Sequence, residues 1–405
     1  MNKKFTLVAL AFVMVVMGAL SAPTAQAQEK TKLRLMGWSG SEAENTSLNK
    51  VIADFNASQD KIEAVFEPVP DYETVLQNSL VSGDVPDVFY VPAQRFPDLV
   101  KSDALMPIGD KLENPEDFYP ALVETFSDKG TFYCPPKDFS VLAIQINTEM
   151  FKAAGVEAPK TWDELRAAAE KLTTDTVAGI VYGPSFDRLG AFIYAAGGEV
   201  TNSDLTEMAL NTDEAKSAFE FYSGLYLDGF ARTPSDLGAG WGGEAFGKGL
   251  AAMALEGNWV VGFLADQYPD LKYETIELPA GPTGKQGSLA FTVCYGIGKK
   301  AKNPEASLTL LNYLVGAEGM KTWTDGTGVL PSRMSVAAEF VKTFPDREVY
   351  LKSAEFARGW RFVSGFSKVE DKANEQLALL FADQVTVEDA ISDIEKVGNA
   401  VLKGE

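Results

Sequence analysis

Tryptophans set at strand ends and in loops, with carboxylates near them, are the residues of this chain whose types and spacing could do chemistry. Trp38 follows the run Lys32-Leu-Arg-Leu-Met36, Trp241 sits in the glycine-rich stretch Gly238–Gly249, and Trp259 closes Ala251-Ala-Met-Ala-Leu-Glu-Gly-Asn-Trp259. An indole face can cover the flat C–H surface of a sugar ring, while carboxylates and amides bond its hydroxyls. Such a set suits a neutral polyol and needs no covalent chemistry. The 405 residues include no histidine. This removes Ser-His-Asp and Cys-His catalysis, His-ligated zinc and the usual near-neutral general base. There is no Walker A sequence, no C-x-x-C and no calcium loop, and the glycines around Trp241 lack G-x-G-x-x-G spacing. No cofactor and no metal are expected. The 57 acidic residues are too many for sequence to single out a general acid/base pair.

The elements that must hold these residues alternate between strand-like runs and amphipathic helices. Lys32–Met36 reads as a strand; Ser41 is expected to cap a helix with Leu48, Val51, Ile52 and Phe55 on one face. Ile62–Val69 alternates, Tyr72–Val81 reads as a helix, and Asp87–Val91 is rich in β-formers. Thr161-Trp-Asp-Glu164 is a capping box opening a helix that carries Leu165, Ala168, Ala169 and Leu172. Pro304 takes a first helical position ahead of Leu310, Leu311 and Leu314, and Thr386 caps a last helix with Ile391, Ile394, Val397 and Val401. This alternation predicts α/β layers with largely parallel sheets. Gly238–Gly249, Pro279–Gly284 and Gly326–Pro331 read as loops.

Length and 46% hydrophobic content allow two domains of ordinary size, each with its own core. Met1-Asn-Lys-Lys4, the apolar run Leu7–Leu20 and Ala25-Gln-Ala27 have the form of a secretory signal, cleaved near Ala27. The run is short for a membrane span of roughly 20 residues, and Gln28 offers no lipid-anchoring thiol. Losing Lys3 and Lys4 with that segment takes the net charge from −21 to −23. Such a charge argues against nucleic acid or anionic lipid as partner, since both need basic patches. Cys134 and Cys294 would stand in an oxidising compartment. One long-range disulfide and two buried free thiols are both open.

The order of short segments is familiar. Ser82-Gly-Asp-Val-Pro-Asp-Val88, Ile146-Asn-Thr-Glu-Met-Phe-Lys-Ala-Ala-Gly-Val156 and Lys160-Thr-Trp-Asp-Glu-Leu165 come first. Phe246-Gly-Lys-Gly-Leu-Ala-Ala-Met253, Glu256-Gly-Asn-Trp259, Leu278-Pro-Ala-Gly-Pro-Thr-Gly-Lys285, Lys302-Asn-Pro-Glu-Ala306 and Gly328-Val-Leu-Pro-Ser-Arg333 follow. In this order the chain resembles the extracellular solute-binding proteins of ABC importers, in the carbohydrate-binding family that includes maltose-binding protein. The resemblance implies a type II-like periplasmic binding protein fold of α/β class, in which two discontinuous lobes are joined by hinge segments. Lobe one would be about 28–138 plus 290–332, and lobe two about 139–289 plus 333–405. Ligands of such folds bind in the crevice at the carboxyl ends of strands.

The same resemblance, with local context, nominates ligand-binding residues. They are Trp38 after the first strand, Glu42 at a helix start, and Gln94 with Arg95 at a strand end. Asp138 or Ser140 stands where the chain enters lobe two, and Trp259 takes the position of a ring-stacking tryptophan. Trp241, Arg333 near the last crossing, and Trp360 with Arg361 complete the set; Phe186 and Asp187 could also reach the cleft. Glu42 has the competing role of a favourable charge on a helix dipole, and Arg333 that of a structural ion pair. The implied function is a periplasmic, monomeric carrier without cofactor that captures a mono- or oligosaccharide and delivers it to ABC permease subunits. The alternatives are the same fold binding a polyamine or phosphorylated polyol, and an exported glycoside hydrolase using two carboxylates.

Overall fold

The computed structural model describes residues 30–38 and 42–405. The signal-like segment and Ser41 therefore lie outside the described residues. Twelve strands are present among them: β1 Thr31–Trp38, β2 Ile62–Val69, β3 Val88–Pro92, β4 Ser127–Asp128, β5 Thr131–Phe132 and β6 Pro136–Asn147, then β7 Ile180–Val181, β8 Ala231–Arg232, β9 Met253–Gly257, β10 Tyr273–Ile276, β11 Ser288–Gly296 and β12 Ala357–Gly359. Ten of these join one sheet in the order β2-β1-β3-β11-β6-β9-β7-β8, with β10 on β6 and β12 on β11.

Local chemistry sets the helices where the apolar spacing predicts them. The Thr161 hydroxyl accepts from the Glu164 N–H at 3.3 Å, opening Trp162–Leu172. Thr386 accepts from the Asp389 N–H at 3.1 Å ahead of Val387–Leu402. Pro304 begins Pro304–Leu314, which buries Leu310, Leu311 and Leu314. Each hydroxyl satisfies a first-turn N–H that the helix itself cannot.

The sheet is not largely parallel, as the alternation of elements predicts. β1 pairs β2 and β3 in parallel, and β7 pairs β8 and β9 in parallel. Between these blocks β11 runs antiparallel to β3 and β6, and β6 antiparallel to β9 and β10. The reason lies in the long connections. β6 enters from the first block and leaves through the second, and β11 returns in the opposite direction.

Two main cores flank these strands. One is built from Leu33–Cys134 and Cys294–Val336, the other from Leu142–Leu289 and Trp360–Val401. A third apolar cluster, with Phe139, Val141, Phe246, Leu264 and Tyr350, covers the other face of the second block. Both lobes are thus discontinuous in sequence. β6 serves both: Asp138–Val141 pair with β11, and Leu142–Ile146 with β9. Leu330 bridges to Phe139, so a further crossing of the chain lies beside β6. Cys134 and Cys294 form a disulfide with Cα atoms 5.7 Å apart inside the first core. No helix of the described residues is long and apolar enough to cross a membrane.

Candidate functional site

Strand register builds the floor. On β6, Asp138 and Ser140 point to one half-buried face while Phe139 is buried on the other, as the period of two requires. Phe291 and Val293 of β11 lie directly opposite Ser140 and Asp138. All four are half-buried, so this face where the two lobes meet is open rather than sealed by core.

The first lobe raises an aromatic wall. Trp38, the last residue of β1, meets Tyr90 edge-on at 4.8 Å and Tyr72 at 5.6 Å. Tyr90 in turn meets Tyr295 at 5.6 Å, and burial pushes both phenols well above their ordinary pKa. Lys137 is buried, 3.8 Å from the ring centroid of Trp323, and its ammonium pairs with Asp138. Asp138 also accepts from the Trp323 indole N–H at 2.8 Å. A cation, a carboxylate and an indole here satisfy one another.

The second lobe raises the opposite wall. Trp259 opens the helix Trp259–Gln267, remains 38% exposed, and meets Phe291 edge-on at 5.6 Å. Its indole N–H donates to Glu256 Oε2 at 3.0 Å, and Arg188 Nη2 donates to the same oxygen at 3.0 Å. Arg188 also lies 3.5 Å from Asp187. Burial drives the Glu256 carboxyl above its ordinary pKa, and Arg188 and the indole N–H oppose that shift. Burial works against the charge of Arg188 too, yet Glu256 and Asp187 hold it above its ordinary value. Gly242 makes room for this pair: a Cβ there would come within 2.5 Å of Glu256 Oε1. Trp241 precedes it, half-buried, edge-on to Phe263 at 4.8 Å.

Trp38 and Asp138 are thus joined to the floor through Tyr90 and Lys137, Trp259 through Phe291, and Asp187 through Arg188 and Glu256, whereas Trp241 is packed on Phe263. Glu42 is exposed at the first turn of Glu42–Ser58. Gln94 is exposed beside a separate cavity of about 240 Å³ that it lines with Arg95, Asp98, Trp360 and Glu370. Trp360 is 2% exposed, packs edge-on against Phe186 and Phe362, and donates its N–H to Glu370. Arg333 takes no part in this arrangement. It is buried, donates to the carbonyls of Val315, Asn114 and Glu113, and lies 4.2 Å over Phe118. Glu256, Lys137, Tyr90, Trp323 and Phe291 are members that sequence reasoning did not nominate. Glu256 had a signal, its place three residues before Trp259; the others are joined only by register.

Among the described residues no group of His, Cys, Asp or Glu is placed to hold a metal ion. The sequence profile for bacterial extracellular solute-binding proteins matches residues 50–349. A putative binding protein of Brucella abortus (strain 2308) is 23% identical over 365 residues, covering 86% of this chain and 88% of its own. The multiple sugar-binding protein of Streptococcus mutans is 23% identical over 333 residues and 78% of each chain. The fold of a cyclic alpha-maltosyl-1,6-maltose binding protein from Arthrobacter globiformis superposes with a TM-score of 0.85 at 22% identity, over 93% of this chain and all of that one. The sugar-binding protein MalE of Xanthomonas citri gives 0.84 at 20% identity, over 92% of this chain and 98% of its own. With three-quarters of its length matched and two lobes meeting over an aromatic-walled floor, the chain belongs to the family of bacterial extracellular solute-binding proteins.

Proposed function

We propose that this chain is the sugar-capturing component of an ABC importer, holding a neutral mono- or oligosaccharide between its lobes and passing it to permease subunits. The observation that carries the sugar is the pairing of charge around exposed indole. Lys137 is matched by Asp138, and Arg188 by Glu256, while Trp259 keeps 38% of its surface open. A polyamine would need carboxylates without cations, and a phosphorylated polyol cations without carboxylates. A neutral ring needs an apolar face and hydrogen-bonding edges. Relatives named for sugars support the same choice.

The reading takes the lobes as about 28–138 plus 290–332 and 139–289 plus 333–405. It takes the protein as an exported monomer, freed of its first 27 residues, working in the periplasm. No covalent step is invoked. Ligand bridging the lobes draws an open–closed equilibrium toward closed by its differential contacts alone.

Thermal unfolding against neutral sugars from maltose to maltotetraose, polyols and polyamines tests this. A sugar at about 100 times its dissociation constant is expected to stabilise by roughly 2.7 kcal/mol. That is a rise of roughly 5–10 °C for domains of this size. Trp259→Ala is expected to abolish the rise while leaving the protein folded. A rise with polyamines alone overturns the sugar assignment and leaves the fold standing.

A further inference from the structure

The carboxylate of Glu256 has an unequal division of labour between its oxygens. Oε2 accepts both from Arg188 and from the Trp259 indole, each at 3.0 Å, which uses its two lone pairs. Oε1 has no hydrogen-bond partner among the described residues and faces Gly242, where a Cβ would stand 2.5 Å away. The residue is 4% exposed and sits on β9, at a wall of the open floor. Oε1 is not one of the fully buried oxygens without a partner, so it keeps open surface from which a donor can reach it.

We propose that Glu256 is both the positioning residue for the Trp259 platform, through Oε2, and an acceptor for a ligand hydroxyl, through Oε1. This rests on the sugar-binding reading for its second half only. An indole whose N–H is fixed loses rotation about its side-chain bonds, so its face is preset before ligand arrives. Arg188 orients the carboxylate through its hydrogen bond to Oε2 and opposes the effect of burial on its charge. Glycine at 242 leaves Oε1 unobstructed.

The test compares Glu256→Gln, Glu256→Ala and Arg188→Met with the full chain, with and without ligand. Without ligand, the Trp259 signal is isolated as the difference between each protein and its Trp259→Phe counterpart, in near-ultraviolet circular dichroism and acrylamide quenching. Glu256→Ala is expected to diminish the Trp259 dichroism and raise its quenching. Glu256→Gln, whose amide oxygen still accepts from the indole, is expected to restore both. With maltotetraose as probe, Glu256→Ala is expected to weaken binding by about tenfold or more, the range of one hydrogen bond to a charged group. Glu256→Gln is expected to fall between it and the wild type. Unchanged Trp259 signals in Glu256→Ala overturn the positioning role, and unchanged affinity overturns the acceptor role. Should the wild type bind none of the sugars, the sugar reading fails while the ligand-free signals still decide the positioning role.

Discussion

Glu256 is held at a pKa that its surroundings pull both ways, and the sign of the outcome is testable. Burial is the largest influence and raises it; Arg188 and the Trp259 N–H lower it, and Asp187 raises it again. A carboxyl whose folded pKa lies above its unfolded one gives stability that is fully present below the ordinary glutamate range and lost as pH climbs through the raised value. Gln at this position mimics the protonated form at every pH. The stability of the wild type relative to Glu256→Gln is therefore expected to fall as pH rises above the ordinary glutamate range, read from paired thermal melts. A flat difference would mean that Arg188 compensates burial fully. At this scale sequence was only partly legible. Trp259 is visible through the resemblance carried by Glu256-Gly-Asn-Trp259, but an arginine that meets ligand and one that meets carbonyls look the same. Arg333 is of the second kind, bonded to Val315, Asn114 and Glu113. Lys137, just before Asp138, proves to be a buried cation between Trp323 and Tyr90.

Elements were read more completely than residues, for a physical reason. Helix starts are local chemistry, so Thr161, Pro304 and Thr386 announce them, and apolar spacing names the buried face. Strand direction is not local. β6 and β11 carry no comparable local signal, and their antiparallel pairing depends on connections more than a hundred residues long. The cysteine pair was open for the same reason, since only the pairing of Pro136 with Cys294 brings Cys134 within reach. That disulfide closes a separation of 160 residues and ties the entry of β6 to β11 within the first core. Replacing both cysteines by alanine is expected to lower stability by about 2–4 kcal/mol, measured as a shifted urea midpoint. If that transition splits, the lobe containing residues 134 and 294 is expected to melt first.

Across the whole molecule, the two cores share strands and little else of the sheet, which is the condition for one body to move against another. A sugar that stabilises the protein in melts is expected also to reduce its radius of gyration in solution scattering. Trp259→Ala is expected to remove both effects together. A stabilising sugar that leaves the radius unchanged would mean binding without closure. The net charge, −21 for the whole chain and −23 without its first 27 residues, acts at this scale as well, opposing association with anionic surfaces.

The two strands that pass between the lobes are bonded to each other, with Ala290–Val293 facing Val141–Asp138. Two separate tethers would let the halves twist, slide and splay independently. A bonded pair behaves instead as the spine of a book, stiff along its length and pliant across it. In the proposed closure the pages turn about one line, so that any guest, short or long, meets the same two printed faces in the same order. Selection among guests falls to what is written on those faces, not to how the covers swing.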